Sequence, residues 1–422
     1  MNKTNIVVLI VLAVGVVLAF NYIGSTGALI GYTEFSNKPS WRDAGNGIIS
    51  DQREAVSVGG MVDWVELAAK LKSEEIAMVT IDAKNNVNAQ IWDGNAWGSL
   101  KELTKTSKLT QHAADVIYES QSGDALAVFV DMTGDVLSDK TLHYATWNGK
   151  GWSAVLEANN IGASPTNIDL ASNPLKDEIL CIGVDAAADT TLEVWDGNKW
   201  GQVYELTKNS YPGTRPYAAA YEHSSGEAII VYTSRDQNDP RVRYRVYVNG
   251  VLGEEQFGPA LSTYGRLYRL IPDPKSDEIV MMVRDEEFNT YISIWDGNRF
   301  HDKGIVATEA QGLTFMGMDG AYQTLSGNAI LAYADNSFFP KYRIWDGKEL
   351  SVELNMPGTQ NIVRWIEMDA NPADDELLVL VSTRYNNVDA LFYDGSWKIE
   401  AVSTSNSNAA RGGIAVAYEQ QP

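Results

Sequence analysis

The sequence predicts an all-β fold, an eight-bladed β-propeller of four-stranded antiparallel blades. Three observations lead there. A hairpin motif recurs with a period near 50 residues, two strand patterns alternate between repeats, and one repeat is split between the two ends of the chain.

The hairpin is fullest as Ile91-Trp92-Asp93-Gly94-Asn95-Ala96-Trp97. Asp-Gly between apolar residues predicts a tight type I′ turn, which needs positive φ at both central positions. Related copies are Trp147-Asn148-Gly149, Trp195-Asp196-Gly197, Val248-Asn249-Gly250, Trp295-Asp296-Gly297, Trp345-Asp346-Gly347 and Tyr393-Asp394-Gly395, with an eroded one at Asn46-Gly47. Successive turn glycines lie 47, 55, 48, 53, 47, 50 and 48 residues apart. That is one blade per repeat.

Between the hairpins two patterns alternate. One ends an acidic turn in Glu and then runs apolar: Glu74-Glu75-Ile76, Asp177-Glu178-Ile179, Asp277-Glu278-Ile279 and Asp375-Glu376-Leu377. The other places Tyr before Ser-Gly-x-Ala, as in Tyr118 with Ser122-Gly123-Asp124-Ala125, Tyr221 with Ser225-Gly226-Glu227-Ala228, and Tyr322 with Ser326-Gly327-Asn328-Ala329. A fourth Tyr-type unit is divided. Ala417-Tyr418-Glu419 ends the chain, and its continuation, Gly27-Ala28-Leu29-Ile30-Gly31-Tyr32, stands near the start. Pairing 413–419 with 28–34 closes a ring and leaves no open sheet edge. The expected propeller is therefore 25–422, with a composite blade from 25–60 and 409–422.

Residues 1–24 stand outside the ring. Lys3 precedes fifteen residues, 6–20, without a polar side chain, and no acid occurs before Glu34. This pattern predicts a secretory signal, a short anchor or an assembly segment. A spanning helix wants about 20 apolar residues, so membrane contact through 6–23 is a secondary expectation. The assembly candidates are Ile6, Val7, Val8, Leu9, Ile10, Val11, Leu12 and Phe20. Phe338 and Phe339 join them, because they sit in a long loop where apolar tips mark contact surfaces.

The formal net charge is −22. Binding of nucleic acid rests on cationic contacts to phosphate, so that class of partner is excluded. An extracellular or cell-surface place suits the acidity and the leader-like segment. The single Cys181 lies in an apolar strand run, so no internal disulfide forms. The four histidines fall at unrelated places in their repeats, no nucleophile motif or phosphate loop is present, and no cofactor is expected.

Two constellations carry candidate chemistry. Asp82, Asp131, Asp185, Asp236, Asp285 and Asp335 end the second strand of their repeats, four of them twelve residues before the turn glycine. They form either a cation-binding or catalytic carboxylate crown or a set of turn-starting Asp residues copied by duplication. Three Tyr-type repeats carry an aromatic-Arg pair, Trp41-Arg42, Tyr244-Arg245 and Tyr342-Arg343, and the fourth has His143-Tyr144. Such pairs suit glycans through stacking and directed hydrogen bonds, or they serve cross-strand ion pairs.

The Trp-Asp-Gly-x-x-Trp hairpins resemble those of exported β-propeller repeat proteins, including the fungal-type fucose-binding lectins. That resemblance implies a sugar held between blades by Arg, Glu and aromatic side chains, and only the aromatic-Arg pairs match it. The motif differs from the sialidase Asp-box, whose Asp and Gly are not adjacent, and lacks the Gly-His element of WD repeats. The first expectation is a non-enzymatic extracellular or cell-surface structural protein that self-assembles through its apolar segment. The alternative is a carbohydrate-binding propeller. A further alternative is a glycan-cleaving enzyme, which needs only two suitably spaced carboxylates.

Overall fold

The computed structural model describes residues 28–32, 40–45, 48–49, 53–105, 112–131, 139–236, 238–310, 312–385, 387–404 and 413–420. The assembly candidates from Ile6 to Phe20 lie outside them. Among the described residues no helix is long and apolar enough to cross a membrane.

The fold is an all-β propeller. Seven four-stranded blades follow one another: blade 1 (62–104), blade 2 (114–160), blade 3 (165–207), blade 4 (217–257), blade 5 (265–307), blade 6 (318–355) and blade 7 (363–403). In blade 4 the outer strand is two short pieces, Val251–Leu252 and Gln256–Phe257. The remaining sheet joins the ends of the chain. Ala28 pairs with Tyr418 and Tyr32 with Ile414, and Ala28–Tyr32 pairs in turn with Ser40–Gly45. The split repeat is thus joined as the sequence predicts over 28–32, and Glu34 lies outside the described residues. Inner strands touch in unbroken succession from blade 1 to blade 7, then through Ile414–Tyr418 back to blade 1, around a central channel.

Each blade alternates strand direction. Turns between first and second strands, and the Asp-Gly hairpins, therefore share the lower face. Loops between second and third strands, and those entering each inner strand, share the upper face. The second strands are buried throughout, as in Ile179–Asp185 and Leu377–Thr383. Neighbouring blades cover both their faces, so they read as continuous apolar runs rather than alternating ones.

The hairpins correct one expectation. Gly94, Gly197, Gly297 and Gly347 have φ of 91°, 89°, 88° and 84°, but the Asp before each does not have positive φ. The Asp carboxylate instead accepts from the two backbone N–H groups beyond the glycine. Asp93 takes Asn95 and Ala96, both at 2.9 Å, and Asp196 takes Asn198 at 3.0 Å and Lys199 at 2.9 Å. The loop spans four residues, with Trp92 opposite Trp97. Asn249-Gly250, with φ of 49° and 86° and Val248 opposite Val251, is the expected two-residue turn, and the pairing of Gly45 with Ile48 leaves two residues between those strands as well.

Both alternating patterns prove to be latches between blades. Glu278 Oε1 of blade 5 accepts from Tyr322 at 2.8 Å and the Trp345 indole at 2.6 Å, both in blade 6. Glu75 does the same for Tyr118 and Trp147, at 3.1 and 3.3 Å. Glu178 accepts from Tyr221 at 3.0 Å, and Glu376 from Tyr418 at 2.9 Å. A Glu after three of the four Tyr residues serves the next hairpin: Glu119 with Trp195 at 2.5 Å, Glu222 with Trp295 at 2.6 Å, and Glu419 with Trp92 at 2.9 Å. In the three acidic turns that carry Asp, it holds the preceding Ser-Gly turn, as Asp277 holds the N–H groups of Ser224 and Ser225 at 2.7 and 2.9 Å.

Replacing Glu278 by Ala strands two donors that have little access to water. Each unsatisfied buried donor costs about 1–3 kcal/mol, so Glu278→Ala should destabilise by about 2–5 kcal/mol in urea unfolding at unchanged m-value. Glu278→Gln, which keeps an acceptor, should lose less. A midpoint unmoved by Glu278→Ala would show that the latch contributes nothing.

Candidate functional site

The aromatic-Arg pairs divide into two unlike halves. Tyr244 packs edge-on against Trp295 and Phe300 of the next blade, at ring separations of 5.5 and 5.4 Å. Tyr342 packs on Trp397 at 5.3 Å and is buried. Both rings pack in the seam between blades, Tyr342 buried and Tyr244 half-buried. Tyr144 meets Trp195 at 5.3 Å in the same way. The rungs Tyr144–Val128, Tyr244–Val231, Tyr342–Ala332 and Trp41–Gly31 correspond. Blade 2 therefore carries Tyr144-Ala145, not His143-Tyr144, where the others carry an aromatic-Arg pair.

The arginines point the other way along their strands, as alternation requires. Arg245 Nε donates to the Tyr232 hydroxyl at 3.3 Å, and Tyr232 donates to Glu255 Oε2 at 2.7 Å. Arg343 Nε donates to Tyr333 at 3.2 Å, and Tyr333 to Glu353 Oε2 at 3.0 Å. A second Arg343 nitrogen donates to the Ser351 carbonyl at 2.8 Å. Each Arg is half-buried and each Tyr fully buried, while Glu353 is exposed. The expected cross-strand ion pair is absent from these rungs, where Arg245 faces Ile230 and Arg343 faces Leu331. A guanidinium and a carboxylate held through one phenol present donors and an acceptor together, which suits adjacent sugar hydroxyls. In the composite sheet Arg42 stands opposite Ile30, and Tyr32 ends that strand, so the backbone repeats the Arg245 and Tyr232 positions.

The acidic series is not gathered into a crown. Asp82 accepts from the N–H groups of Lys84 and Asn86 at 2.8 and 3.0 Å, and Asp285 from those of Glu287 and Asn289, both at 2.9 Å. Asp185 does the same with Ala187 and Asp189, and Asp335 accepts from Ser337 N at 2.7 Å. Asp236 accepts from the hydroxyls of Thr207 and Ser234. Asp131 closes its strand beside residues outside the described set. Each of the five is engaged by its own or an adjoining loop. Among the described residues no group of three or more His, Cys, Asp or Glu side chains could hold a metal ion. Phe338 and Phe339 are exposed, at 50% and 51%, as their loop suggests.

The sequence reading missed the central channel. Glu66, Asp169, Arg269 and Glu367 take one position of the inner strand in blades 1, 3, 5 and 7, while Asp115 and Asp319 come from blades 2 and 6. Arg269 Nη2 lies 2.7 and 2.8 Å from the two Glu367 oxygens, and Arg215 Nη2 lies 3.1 Å from Asp169. Asp115 and Asp319 each accept a backbone N–H of the next inner strand, from Leu170 and Met368, both at 2.9 Å. Trp64, His112 and Trp365 close the upper end, with Trp64 and His112 4.2 Å apart. At the lower end a cavity of about 390 Å³ opens between Ile271, Tyr322, Met368 and Asp369. The signal was available: a charged residue recurs two places after Trp64, Asn167, Leu267 and Trp365, at one position of four corresponding strands.

Burial raises the channel carboxyls. Asp115 is lifted to about 7 by burial and then by Asp169. Asp319 is lifted to about 7 by burial against the pull of Arg269, and Asp369 to about 6 by burial. Glu66 is held well above its ordinary value by burial, then by Asp115 and Glu367. Between about pH 4, where these groups titrate in the unfolded chain, and about pH 7, the folded protein binds more protons than the unfolded one. Its stability therefore falls as pH rises through that window. His112, held below its ordinary value by burial, acts oppositely below about pH 6.5, but it is one group against four. The Tm should be higher at pH 5 than at pH 7.5. Asp115→Asn with Asp319→Asn should raise it at pH 7.5 and flatten the profile. A profile that rises from pH 5 to 7.5 would contradict this assignment.

No protein-family model matches the chain and no curated protein matches it. Among solved structures it is similar to the BP39L lectin from Burkholderia pseudomallei, with TM-score 0.56 and 10% identity over 81% of this chain and 100% of that one. It is also similar to the Dos1 propeller, with TM-score 0.53 and 15% identity over 86% of this chain and 92% of that one. The fungal Aleuria aurantia lectin, described with a six-bladed propeller and fucose recognition, follows at TM-score 0.45 and 9% identity, over 81% of this chain and 95% of that one. At these identities the likeness to the first two shows the fold, a β-propeller.

Proposed function

We propose that this protein is a non-enzymatic carbohydrate-binding propeller of the extracellular space or cell surface. The observation that carries the reading is the repeated Arg-Tyr-Glu triad, Arg245-Tyr232-Glu255 and Arg343-Tyr333-Glu353, in alternate blades. Its donors and acceptor are oriented before any ligand arrives, which lowers the entropy lost on binding. The BP39L lectin, similar in fold, supports the same reading. In it, Arg245 and Arg343 donate to sugar hydroxyls, Glu255 and Glu353 accept from them, and no bond is broken. Tyr244 and Tyr342 hold the adjoining seam instead of stacking on the sugar.

The composite sheet counts in this reading as an eighth blade. Support comes from the Tyr418–Glu376 and Trp92–Glu419 hydrogen bonds, which place it in the same latch sequence as its neighbours. Axial class averages from electron microscopy should then show eight lobes, and seven would reject the count.

A second reading, self-assembly, is favoured by the two exposed phenylalanines, Phe338 and Phe339, on an otherwise polar loop. Filaments of the full-length protein that dissolve on replacing both by Ser would support it, and single rings under all conditions would end it.

The glycan reading is tested on an array of neutral glycans. Arg245→Ala with Arg343→Ala should weaken the best signal at least tenfold while the far-UV spectrum and Tm stay close to the parent's. Unchanged binding by the double variant, or no binding by the parent, would reject the triads as the site.

A further inference from the structure

Blades 1, 3, 5 and 7 each place two residues side by side on the upper face. One is the second residue of the inner strand, and the other follows the end of the second strand. The backbone fixes the match: Glu286 N donates to Tyr264 O in blade 5, and Arg384 N donates to Ile362 O in blade 7, at 3.1 and 3.0 Å. By this register the pairs are Asp63 with Ala83, Thr166 with Ala186, Arg266 with Glu286, and Arg364 with Arg384. In blade 5 the pair is an ion pair, with Arg266 Nη1 3.2 Å from Glu286 Oε1. The Tyr211 ring lies under Arg266 at 3.9 Å and under Arg235 at 4.5 Å.

Blade 7 keeps this arrangement and reverses one charge. The Phe315 ring takes the place of Tyr211, with Arg364 over it at 4.3 Å. Arg384 stands where Glu286 would, exposed, beside a Tyr385 that is 64% exposed. No acid lies within ion-pair distance of either guanidinium among the described residues, and the buried Arg364 Nε, like that of Arg266, has no hydrogen-bond partner. Burial and then the nearby Arg384 charge lower the Arg364 pKa. Two like charges held together without a counterion repel each other, and nothing in the described surroundings offsets it at ion-pair distance.

We propose that Arg364 and Arg384, with Phe315 and Tyr385, bind the carboxylate of a uronic-acid-bearing glycan. This deepens the carbohydrate reading and rests on it for the ligand class. Glu286 shows the chemistry: in the sister blade a carboxylate occupies this place against the corresponding Arg. Paired guanidiniums take a carboxylate through charge-assisted, in-plane hydrogen bonds. The exposed Tyr385 ring offers the apolar face of the sugar a platform.

The test uses the full chain and immobilised oligogalacturonate, with its methyl ester as the uncharged twin. The acid should bind at least tenfold more tightly than the ester, and binding should weaken with salt. Arg384→Glu rebuilds the ion pair of blade 5, so it should abolish acid binding while leaving Tm equal or higher. Equal binding of acid and ester, or acid binding retained by Arg384→Glu, overturns the proposal. Neutral glycans bound without the acid sink this inference alone. Acid binding lost in Arg384→Glu but kept in the Arg245→Ala, Arg343→Ala variant, with no neutral glycan bound, sinks the triad site and leaves this one standing. No binding of any glycan sinks both.

Discussion

The structure depends on a buried donor that only the neighbouring blade can satisfy. The Trp that opens a hairpin covers the seam with its ring and thereby removes its own indole N–H from water. Left alone, that group costs about 1–3 kcal/mol. The acceptor is a glutamate on the preceding blade, as for Trp295 with Glu222 and Trp345 with Glu278. Satisfaction of each blade thus requires its neighbour, and the sequence of latches must run around the ring. Trp92 finds its acceptor in Glu419, at the opposite end of the chain, 327 residues away. The composite sheet is therefore tied into the ring by the same hydrogen bonds that join the others.

The latch also tracks its own composition. Trp92, Trp195 and Trp295 meet Glu419, Glu119 and Glu222. In blade 7 the hairpin ring is Tyr393, and the corresponding acceptor position is Gln323, whose amide donates to the Asp375 carbonyl at 2.7 Å. Donor and acceptor have changed together. Much of the acidity is likewise internal. Carboxylates cap turns, hold latches and line the channel, so the net charge says less about the outer surface than its size suggests.

What was legible in the sequence is what repeats. Trp-Asp-Gly, Asp-Glu and Ser-Gly-x-Ala recur because every seam solves the same problem, and the split Tyr-type unit could be joined because both halves carried recognisable pieces. The turn type was misread because Asp-Gly suits more than one loop. Here the Asp side chain caps the backbone, so only the glycine needs positive φ. That Tyr244 and Tyr342 pack on rings of the next blade could not be read from residue type, because those rings, Trp295 and Trp397, stand more than 50 residues on. The channel charges were missed for a related reason. Glu66 and Glu367 lie about 300 residues apart, and only the closed ring brings them to one axis.

Duplication separates what a propeller must keep from what it can vary. The lower face and the seams keep the same donors and acceptors from blade to blade, because a lost partner there is a buried cost. The upper-face pair bears no such constraint, and it runs through Asp63-Ala83, Thr166-Ala186, Arg266-Glu286 and Arg364-Arg384 on one unchanged backbone register. The first two choices are electrostatically mild, and the third neutralises itself. Only the fourth is worse for the isolated protein than its alternatives, since a single substitution to Glu would remove the repulsion. Residues that stay locally unfavourable on a scaffold with a ready remedy are those expected where a ligand completes the structure. That asymmetry sets the blade 7 cluster apart from three other arginines of the upper face. Arg241 and Arg243 meet Asp239 or Glu255, and Arg266 meets Glu286.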